Sequence, residues 1–254
     1  MSKTIHAKIK DRIGELPEGS VFVLSDFSDL ADPKTVSKTL TRLCQGGGVA
    51  KVMRGVFWKP FAFSSEDDDR ILRDLSDEYS SDVEVEFVGA GADLPSGAGG
   101  APATPVKTGP DPDSVARALA RNNLWQIVPS GDTARHLIGI APDAPAVWTY
   151  ITDGAYRTYS YGDTVISFQH ASSKFMSQMS EKTAVVIQVI KTYGKDRIPD
   201  WLGEKLRQVF RVSDWPVIIS ESRHTTAWIA AAVRKLSADE RAGRVTEQTP
   251  RFQS

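Results

Sequence analysis

The sequence has one cysteine, Cys44, and no long apolar stretch. A single cysteine excludes a disulfide within the chain, which fits a reducing compartment. No apolar run approaches the roughly 20 residues that a helix needs to cross a bilayer. The N-terminus, MSKTIHAKIKDRIGEL, is charged and lacks the apolar core of a signal peptide. We therefore expect a cytoplasmic protein with no membrane partner.

The spacings that mark common catalytic and metal sites are also missing. The four histidines show no H-x-x-x-H pattern and no cysteine pair accompanies them: His6, His136, His170 and His224. No G-x-x-x-x-G-K-[ST] motif occurs, and no G-x-G-x-x-G follows a predicted strand. Ser130 is interpreted as a helix N-cap, because G-x-S-x-G is absent around it. We expect no catalytic residue, no metal and no cofactor, which favours a binding protein over an enzyme.

The net charge of −1 conceals three regions of different charge. Residues 1–62 hold ten Lys and Arg against six Asp and Glu, a net charge of +4. Residues 63–113 carry −10 and residues 114–254 carry +5. Because attraction to phosphate depends on local charge, the basic first region suggests a nucleic-acid partner. We interpret residues 63–112, acidic and then rich in Gly, Ala and Pro, as a linker with one short helix around Ile71–Leu75, one strand around Val83–Phe87 and a tether from Gly89.

The segment that begins at Asp32 predicts an amphipathic helix. Asp32 is a favourable N-cap, Pro33 suits the first helical position, and the glycines at 46–48 end the helix. An apolar stripe runs along one side: Val36, Leu40 and Leu43, with Cys44 at its edge. The opposite face has no carboxylate and carries Lys34, Lys38, Thr41 and Gln45, flanked by Thr35 and Arg42. Such a face is suited to a DNA groove, although the polar faces of amphipathic helices commonly meet only water.

Neighbouring signals extend this helix into a larger motif. A strand at 49–53, a turn at Arg54-Gly55 and a strand at 56–58 predict a hairpin with Lys51 and Arg54 near its tip. Upstream, we expect a helix from Lys3 to Leu16, a strand from Val21 to Leu24 that pairs with the hairpin, and a short helix capped by Ser25-Asp26-Phe27 that includes Leu30. Helix, strand, helix, helix and hairpin is the order of a winged helix-turn-helix, so we assign residues 1–62 to one.

The same residues resemble the N-terminal domain of the AbiEi-type antitoxins. The matching positions lie in LPEGSVFVLSDF and in the helix and hairpin that follow: Pro17, Gly19, Phe22, Ser25, Asp26, Phe27, Leu40, Arg42, Leu43, Gly48, Val52, Arg54 and Gly55. The resemblance continues in residues 114–200. Residues 63–113 depart from it, because that family joins its two domains more briefly.

From residue 113 we expect an α+β domain that extends to residue 242. A helix capped by Asp113 or Ser114 and carrying Val115, Leu119 and Leu124 opens it. A strand at Trp125–Val128 follows, and then a helix started by Ser130 or Asp132. An antiparallel β-meander of strands at 146–152, 156–161 and 164–170 is then covered by helices at 180–193, 199–210 and 225–236. Residues 243–254 are expected to be a frayed tail. The predicted fold class is α+β throughout.

The resemblance implies a DNA-binding transcriptional repressor that is also the antitoxin of an abortive-infection toxin–antitoxin operon. It implies autoregulation through inverted repeats in double-stranded operator DNA, by a monomer or weak dimer. It also implies that the protein counteracts a nucleotidyltransferase-like toxin, with direct contact left open. The expected DNA-binding residues are Lys34, Thr35, Ser37, Lys38, Thr41, Arg42, Gln45, Lys51 and Arg54. Two alternatives remain: a module whose winged domain docks a protein partner, and a nucleic-acid-processing enzyme with a catalytic C-terminal domain.

Overall fold

The computed structural model describes residues 4–61, 109–172 and 176–238, and its architecture is mixed α+β. The short helix expected near Ile71, the strand near Val85, the tether from Gly89 and the frayed tail at 243–254 lie outside the described residues. The chain divides into two compact units. Unit 1 draws on Met1–Ile127, Ala146–Trp148 and Gly154–Phe168, and unit 2 on Val128–Pro145, Thr149–Asp153 and Gln169–Ser254.

Unit 1 begins with the elements that the sequence predicted. They are helix α1 (Ile5–Glu15), strand β1 (Val21–Val23), a 3-10 turn η1 (Leu24–Phe27), helix α2 (Pro33–Gln45) and strands β2 (Ala50–Met53) and β3 (Val56–Trp58). The expected second helix is the exception. It is a single 3-10 turn that ends at Phe27 and leaves Leu30 outside. Asp26 caps the start of this turn by accepting the Val23 N–H at 3.0 Å.

The three strands form an antiparallel sheet of order β1-β3-β2. Phe22 lies opposite Phe57, and their rings stack 6.1 Å apart on the face that packs against α1 and α2. The neighbouring pairs point the other way, since side chains alternate along a strand: Val21 with Trp58, and Val23 with Val56. These four residues are also buried. Both faces of the small sheet are therefore covered.

The second face is covered in part by helix α3 (Pro112–Asn123), which packs against β1 and β3. Its N-cap is Asp111, not Asp113 or Ser114, and Pro112 occupies its first turn. Leu124 does not join the apolar side of this helix. It ends the helix in a left-handed conformation with φ of 56° and is 92% exposed. Helix α3 and the N-terminal sheet therefore belong to the same unit.

A second sheet has the order β4-β5-β7-β6. Its strands are β4 (Ile127–Pro129), β5 (Val147–Thr152), β6 (Arg157–Tyr161) and β7 (Thr164–His170). The expected strand at Trp125–Val128 thus begins two residues later, at Ile127. The expected meander is wrong in one respect, since β7 and not β6 lies beside β5. Ile166 and Phe168 make β7 apolar enough for an inner position, whereas β6 exposes Arg157, Thr158 and Ser160 at the edge.

Unit 2 contains a helical core. Its helices are α4 (Gly131–Leu137), α5 (Glu181–Tyr193), α6 (Trp201–Val209), α7 (Trp215–Ser222) and α8 (Ala227–Ser237), with a 3-10 turn η2 (Val212–Asp214) before α7. Residues 183–190 of α5 are buried on every side, and α5 packs against α4, α7 and α8. Helix α7 was not predicted, because its short segment WPVIISES shows little amphipathic periodicity. Glu221 of α7 holds the start of α5 by accepting the Ser180 N–H at 2.9 Å and the Ser180 hydroxyl at 2.8 Å.

Candidate nucleic-acid interface

Helix α2 presents a polar, cationic face to solvent. Its exposed polar side chains are Lys34, Lys38, Thr41, Arg42 and Gln45. Thr35 and Ser37 are half-buried at the flanks, and Val36, Thr39 and Leu40 are buried beneath. The sequence placed Val36 and Leu40 correctly in the core but did not identify Thr39 as buried. The helix therefore separates an apolar side from a side that is open to a ligand.

No Asp or Glu occurs between Pro33 and Phe61, whereas six Lys and Arg do. One of these six is used inside the fold: Lys59 donates from Nζ to the carbonyls of Gly14 and Leu16 at 2.8 and 2.5 Å. It thereby caps the C-terminal end of α1, where a cation interacts favourably with the helix dipole. In the part of the chain that the structure describes, the other five make no ion pair and no side-chain hydrogen bond: Lys34, Lys38, Arg42, Lys51 and Arg54. Their charges are available to an anionic partner.

The acidic residues just before α2 are all engaged. Asp26 pairs with Arg121 at 3.2 Å, and Asp29 pairs with Arg12 at 2.6 Å. Asp32 accepts the N–H groups of Lys34 and Thr35 and the hydroxyl of Thr35. These hydrogen bonds, chiefly the one from the Thr35 side chain, hold the pKa of Asp32 below its usual value. The N-terminus of α2 is therefore already occupied by a carboxylate.

Two of the expected DNA-binding hydroxyls already donate their protons to hydrogen bonds within the protein. Thr35 donates to Asp32 at 2.6 Å, and Thr41 donates to the Ser37 carbonyl at 2.9 Å. In this state the proton of the Thr35 hydroxyl is not available to a phosphate. Thr41 presents a methyl group and the lone pairs of its oxygen. Its groove contacts are thus limited to accepting a hydrogen bond or packing on an apolar group.

The C-terminal end of α2 leads directly into the hairpin. The N–H of Gly47 donates to the Cys44 carbonyl at 3.1 Å and that of Gly48 to the Leu43 carbonyl at 3.3 Å, with Gly47 at φ of 72°. This is a Schellman motif, and it explains the need for glycine at 47. Burial raises the pKa of the Cys44 thiol, while the positive charge of Lys51 opposes that shift. Lys51 on β2 therefore lies near the last turn of α2, and Arg54 occupies the exposed turn beside Gly55, which has φ of 80°.

Residues that hold this surface in place were not evident from the sequence. Arg12 binds Asp29, which lies 17 residues later in the chain, and Arg121 binds Asp26, which lies 95 residues earlier. Both aspartates belong to the segment before α2. An arginine has no sequence signature for a distant partner, so no local signal identifies these two contacts.

The described ranges contain no group of three His, Cys, Asp or Glu side chains placed to hold a metal ion. Nor does any helix within them have the length and apolar character needed to cross a bilayer.

Comparison with known proteins gives one family. Residues 106–216 match DUF6088, described as a family of unknown function. The match begins just before α3 and ends in α7, so it does not include the cationic face of α2. No curated protein matches the chain. No solved structure matches it either.

Proposed function

We propose that residues 4–61 form a winged helix-turn-helix that binds double-stranded DNA. In this proposal α2 is the recognition helix, η1 replaces the helix that precedes it, and the β2–β3 hairpin is the wing. The order of the elements supports it, as does the sheet order β1-β3-β2, in which the strand before η1 pairs with the returning strand of the hairpin. The observation that carries it is the acid-free stretch from Pro33 to Phe61, in which five cations make no ion pair with any residue that the structure describes.

The individual contacts follow from side-chain chemistry. Lys34 and Lys38 are compact charges on flexible stems and are assigned to phosphates. Arg42 and Gln45 have paired polar groups that match the major-groove edges of guanine and adenine, so they are assigned to base reading. On the wing, Lys51 and Arg54 are assigned to phosphate or to the minor groove. Phosphate contacts position the protein, while the contacts of Arg42 and Gln45 supply sequence preference.

The decisive experiment reverses charge on α2. Lys38→Glu combined with Arg42→Glu should abolish the gel shift of the DNA upstream of the gene, while circular dichroism stays that of the wild type. Lys195→Glu with Lys205→Glu is the matched control, because both lysines are exposed in unit 2 and the charge change is equal. Equal DNA binding by the two double variants would remove α2 from the interface.

The biological role rests on the resemblance to AbiEi-type antitoxins. We propose a cytoplasmic repressor that binds inverted repeats at its own promoter and counteracts a nucleotidyltransferase-like toxin encoded beside it. Inverted repeats require two winged domains, either from a weak dimer or from two monomers bound side by side. The full chain should rescue growth when the neighbouring toxin is expressed, and the Lys38→Glu, Arg42→Glu variant should rescue it equally. Failure of the wild type to rescue would discard the antitoxin role and leave DNA binding standing.

A second candidate function, docking of a protein partner, is favoured by one observation in unit 1. Leu124 is 92% exposed and has a positive φ, a conformation that is costly for a residue other than glycine. A leucine held in this way is suited to insertion into an apolar pocket. Binding to a partner captured from the cell that is lost in Leu124→Ser but kept in the α2 double variant would support this function.

A further inference from the structure

The turn η1, which immediately precedes α2, is held by an arginine from α3. Arg121 donates from Nη2 to the Val21 carbonyl and to Asp26 Oδ2, both at 3.2 Å, and from Nε to Asp26 Oδ1 at 3.4 Å. The same Asp26 Oδ2 accepts the Val23 N–H at 3.0 Å and so caps η1. One guanidinium thus joins the edge strand β1, the capping carboxylate of η1 and helix α3.

A second arginine holds η1 from α1. Arg12 donates from Nη1 to the Asp26 carbonyl at 3.3 Å and makes a two-pronged contact with the Asp29 carboxylate at 2.6 and 2.8 Å. The planar fork of arginine makes such paired contacts directional. The backbone of η1 is therefore fixed from two sides, by α1 and by α3.

The position of η1 determines where α2 begins. Five residues separate the end of η1 at Phe27 from the start of α2 at Pro33, and η1 packs against α2. Phe27 is 1% exposed and lies in the core cluster that contains Val36 and Leu40 of α2. Its ring meets Phe22 of β1 edge-on at 5.6 Å. A shift of η1 would therefore move the side chain against which α2 packs.

The exposure of the Arg121 pair argues against a mainly stabilising role. The Arg121 side chain is 48% exposed and that of Asp26 is 30% exposed. Ion pairs this close to solvent add little to global stability. The fold in contrast rests on the buried cluster of Ile9, Phe27 and Leu40.

We propose that Arg121 is a positioning residue for DNA recognition: through Asp26 and η1 it sets the orientation of α2. The proposal rests on the proposed function, since it assigns a role in DNA reading to a residue outside the winged segment. It also makes sequence preference depend on α3, which lies inside the DUF6088 match and begins 54 residues after the end of the hairpin at Trp58. Non-specific attraction to phosphate does not need a precise helix orientation, so it should be retained when Arg121 is removed.

The test uses the full chain in four forms: wild type, Arg121→Ala, Arg121→Lys and Arg117→Ala. Arg117 is the matched control, because it lies one turn earlier on α3 and pairs with Asp113 within the same helix at 2.7 Å. Affinity is measured for the duplex upstream of the gene and for a shuffled duplex of equal length. Hydrogen exchange of peptides covering residues 24–45 is measured without DNA, and thermal unfolding is followed in parallel.

We expect Arg121→Ala to reduce the preference for the upstream duplex roughly tenfold, while shuffled-duplex affinity and the melting temperature stay near wild type. Exchange in residues 24–45 should become several-fold faster. Arg121→Lys should give intermediate values, because its ammonium still reaches Asp26, and Arg117→Ala should match wild type.

Unchanged exchange in residues 24–45 of Arg121→Ala would overturn the proposal. So would a parallel loss of both affinities together with a lower melting temperature, which would indicate a structural role alone. If wild type shows no preference for the upstream duplex, the proposed function fails instead. The exchange measurement, which needs no DNA, still decides whether Arg121 positions α2.

Discussion

Asp32 holds Thr35 through both of its carboxylate oxygens. Oδ1 accepts the Thr35 N–H at 3.1 Å, and Oδ2 accepts the Thr35 hydroxyl at 2.6 Å. The first turn of α2 thus depends on an ionised carboxylate, whose negative charge also interacts favourably with the helix dipole.

This contact predicts an acid-sensitive start to α2. The pKa of Asp32 lies below its usual value of 3.8, chiefly because of the hydrogen bond from the Thr35 side chain. A lowered folded-state pKa gives stability that is present above the unfolded-state pKa and is lost as pH falls through the folded-state pKa. Urea midpoints measured from neutral pH to about pH 3 should therefore fall at the acid end, and Asp32→Asn should flatten that fall. If the urea midpoint of Asp32→Asn fell at low pH as much as that of the wild type, other carboxylates would be the cause of the fall.

The two kinds of DNA contact predict different salt responses. If Lys51 makes the phosphate contact proposed for it, Lys51→Ala removes that contact, and the slope of log affinity against log salt should decrease by about 0.9. Gln45→Ala should leave this slope unchanged and reduce the preference for the upstream duplex. Lys205→Ala, an exposed lysine of unit 2, is the control and should change neither quantity. If Lys51 and Lys205 variants had the same slope, the hairpin would not touch phosphate.

Replacing either of two glycines of unit 1 by alanine should change the stability of the protein, in opposite directions. A Cβ at Gly154 would meet the Trp125 indole, which leaves no room for it, so Gly154→Ala should destabilise the protein by about 1–3 kcal/mol. A Cβ at Gly14, in the last turn of α1, would meet nothing within 4 Å. Gly14→Ala should stabilise by up to about 1 kcal/mol, because alanine loses less backbone entropy in a helix. Urea unfolding of both variants measures the difference, and equal midpoints would contradict it.

The buried outer face of the first sheet predicts that residues 1–61 do not fold alone. Removing α3, which covers part of this face, exposes some of the area of Val21, Val23, Val56 and Trp58, all at most 9% exposed in the full chain. Full burial of one such side chain contributes about 1.5–3 kcal/mol, so even a partial loss over four side chains is a large fraction of the stability of a small domain. Trp58 is the only tryptophan of this fragment, and its emission should be red-shifted with no cooperative melt. A fragment 1–127, which includes α3, should recover a melt. A cooperative transition in 1–61 would show that the winged segment is autonomous.

Local elements were predictable from the sequence because their signals are local. Asp32 and the glycines after Gln45 fixed the ends of α2, and Arg54-Gly55 fixed the hairpin turn. Long-range packing was less accessible. The runs Val21-Phe22-Val23 and Val56-Phe57-Trp58 do carry a signal for it, since unbroken apolar runs are typical of strands buried on both faces. Nothing in either run identifies α3 as part of the cover, and the partners of Arg121 become apparent only in the structure.

The order of the second sheet shows a similar limit. The turn at Gly162-Asp163 predicted the β6–β7 hairpin, which the structure confirms with Tyr161 opposite Thr164. Which of its two strands lies beside β5 depends on the relative apolarity of their faces, and the local turn signal carries no information on this. For the candidate site, exposure of the lysines followed from helical periodicity. The hydrogen bonds that the Thr35 and Thr41 hydroxyls donate within the protein could not be predicted in this way, because they depend on side-chain rotamers.

The half-buried Cys44 is the only sulfhydryl of the chain, and it lies in the last turn of α2 near Lys51. The helix proposed to meet DNA therefore carries a single attachment point for a fluorophore or spin label, on the side that packs against the core, with no competing thiol elsewhere in the chain. Burial raises its pKa, which disfavours the reactive thiolate. The alkylation rate of Cys44 could then be compared with and without a duplex on the unmodified protein.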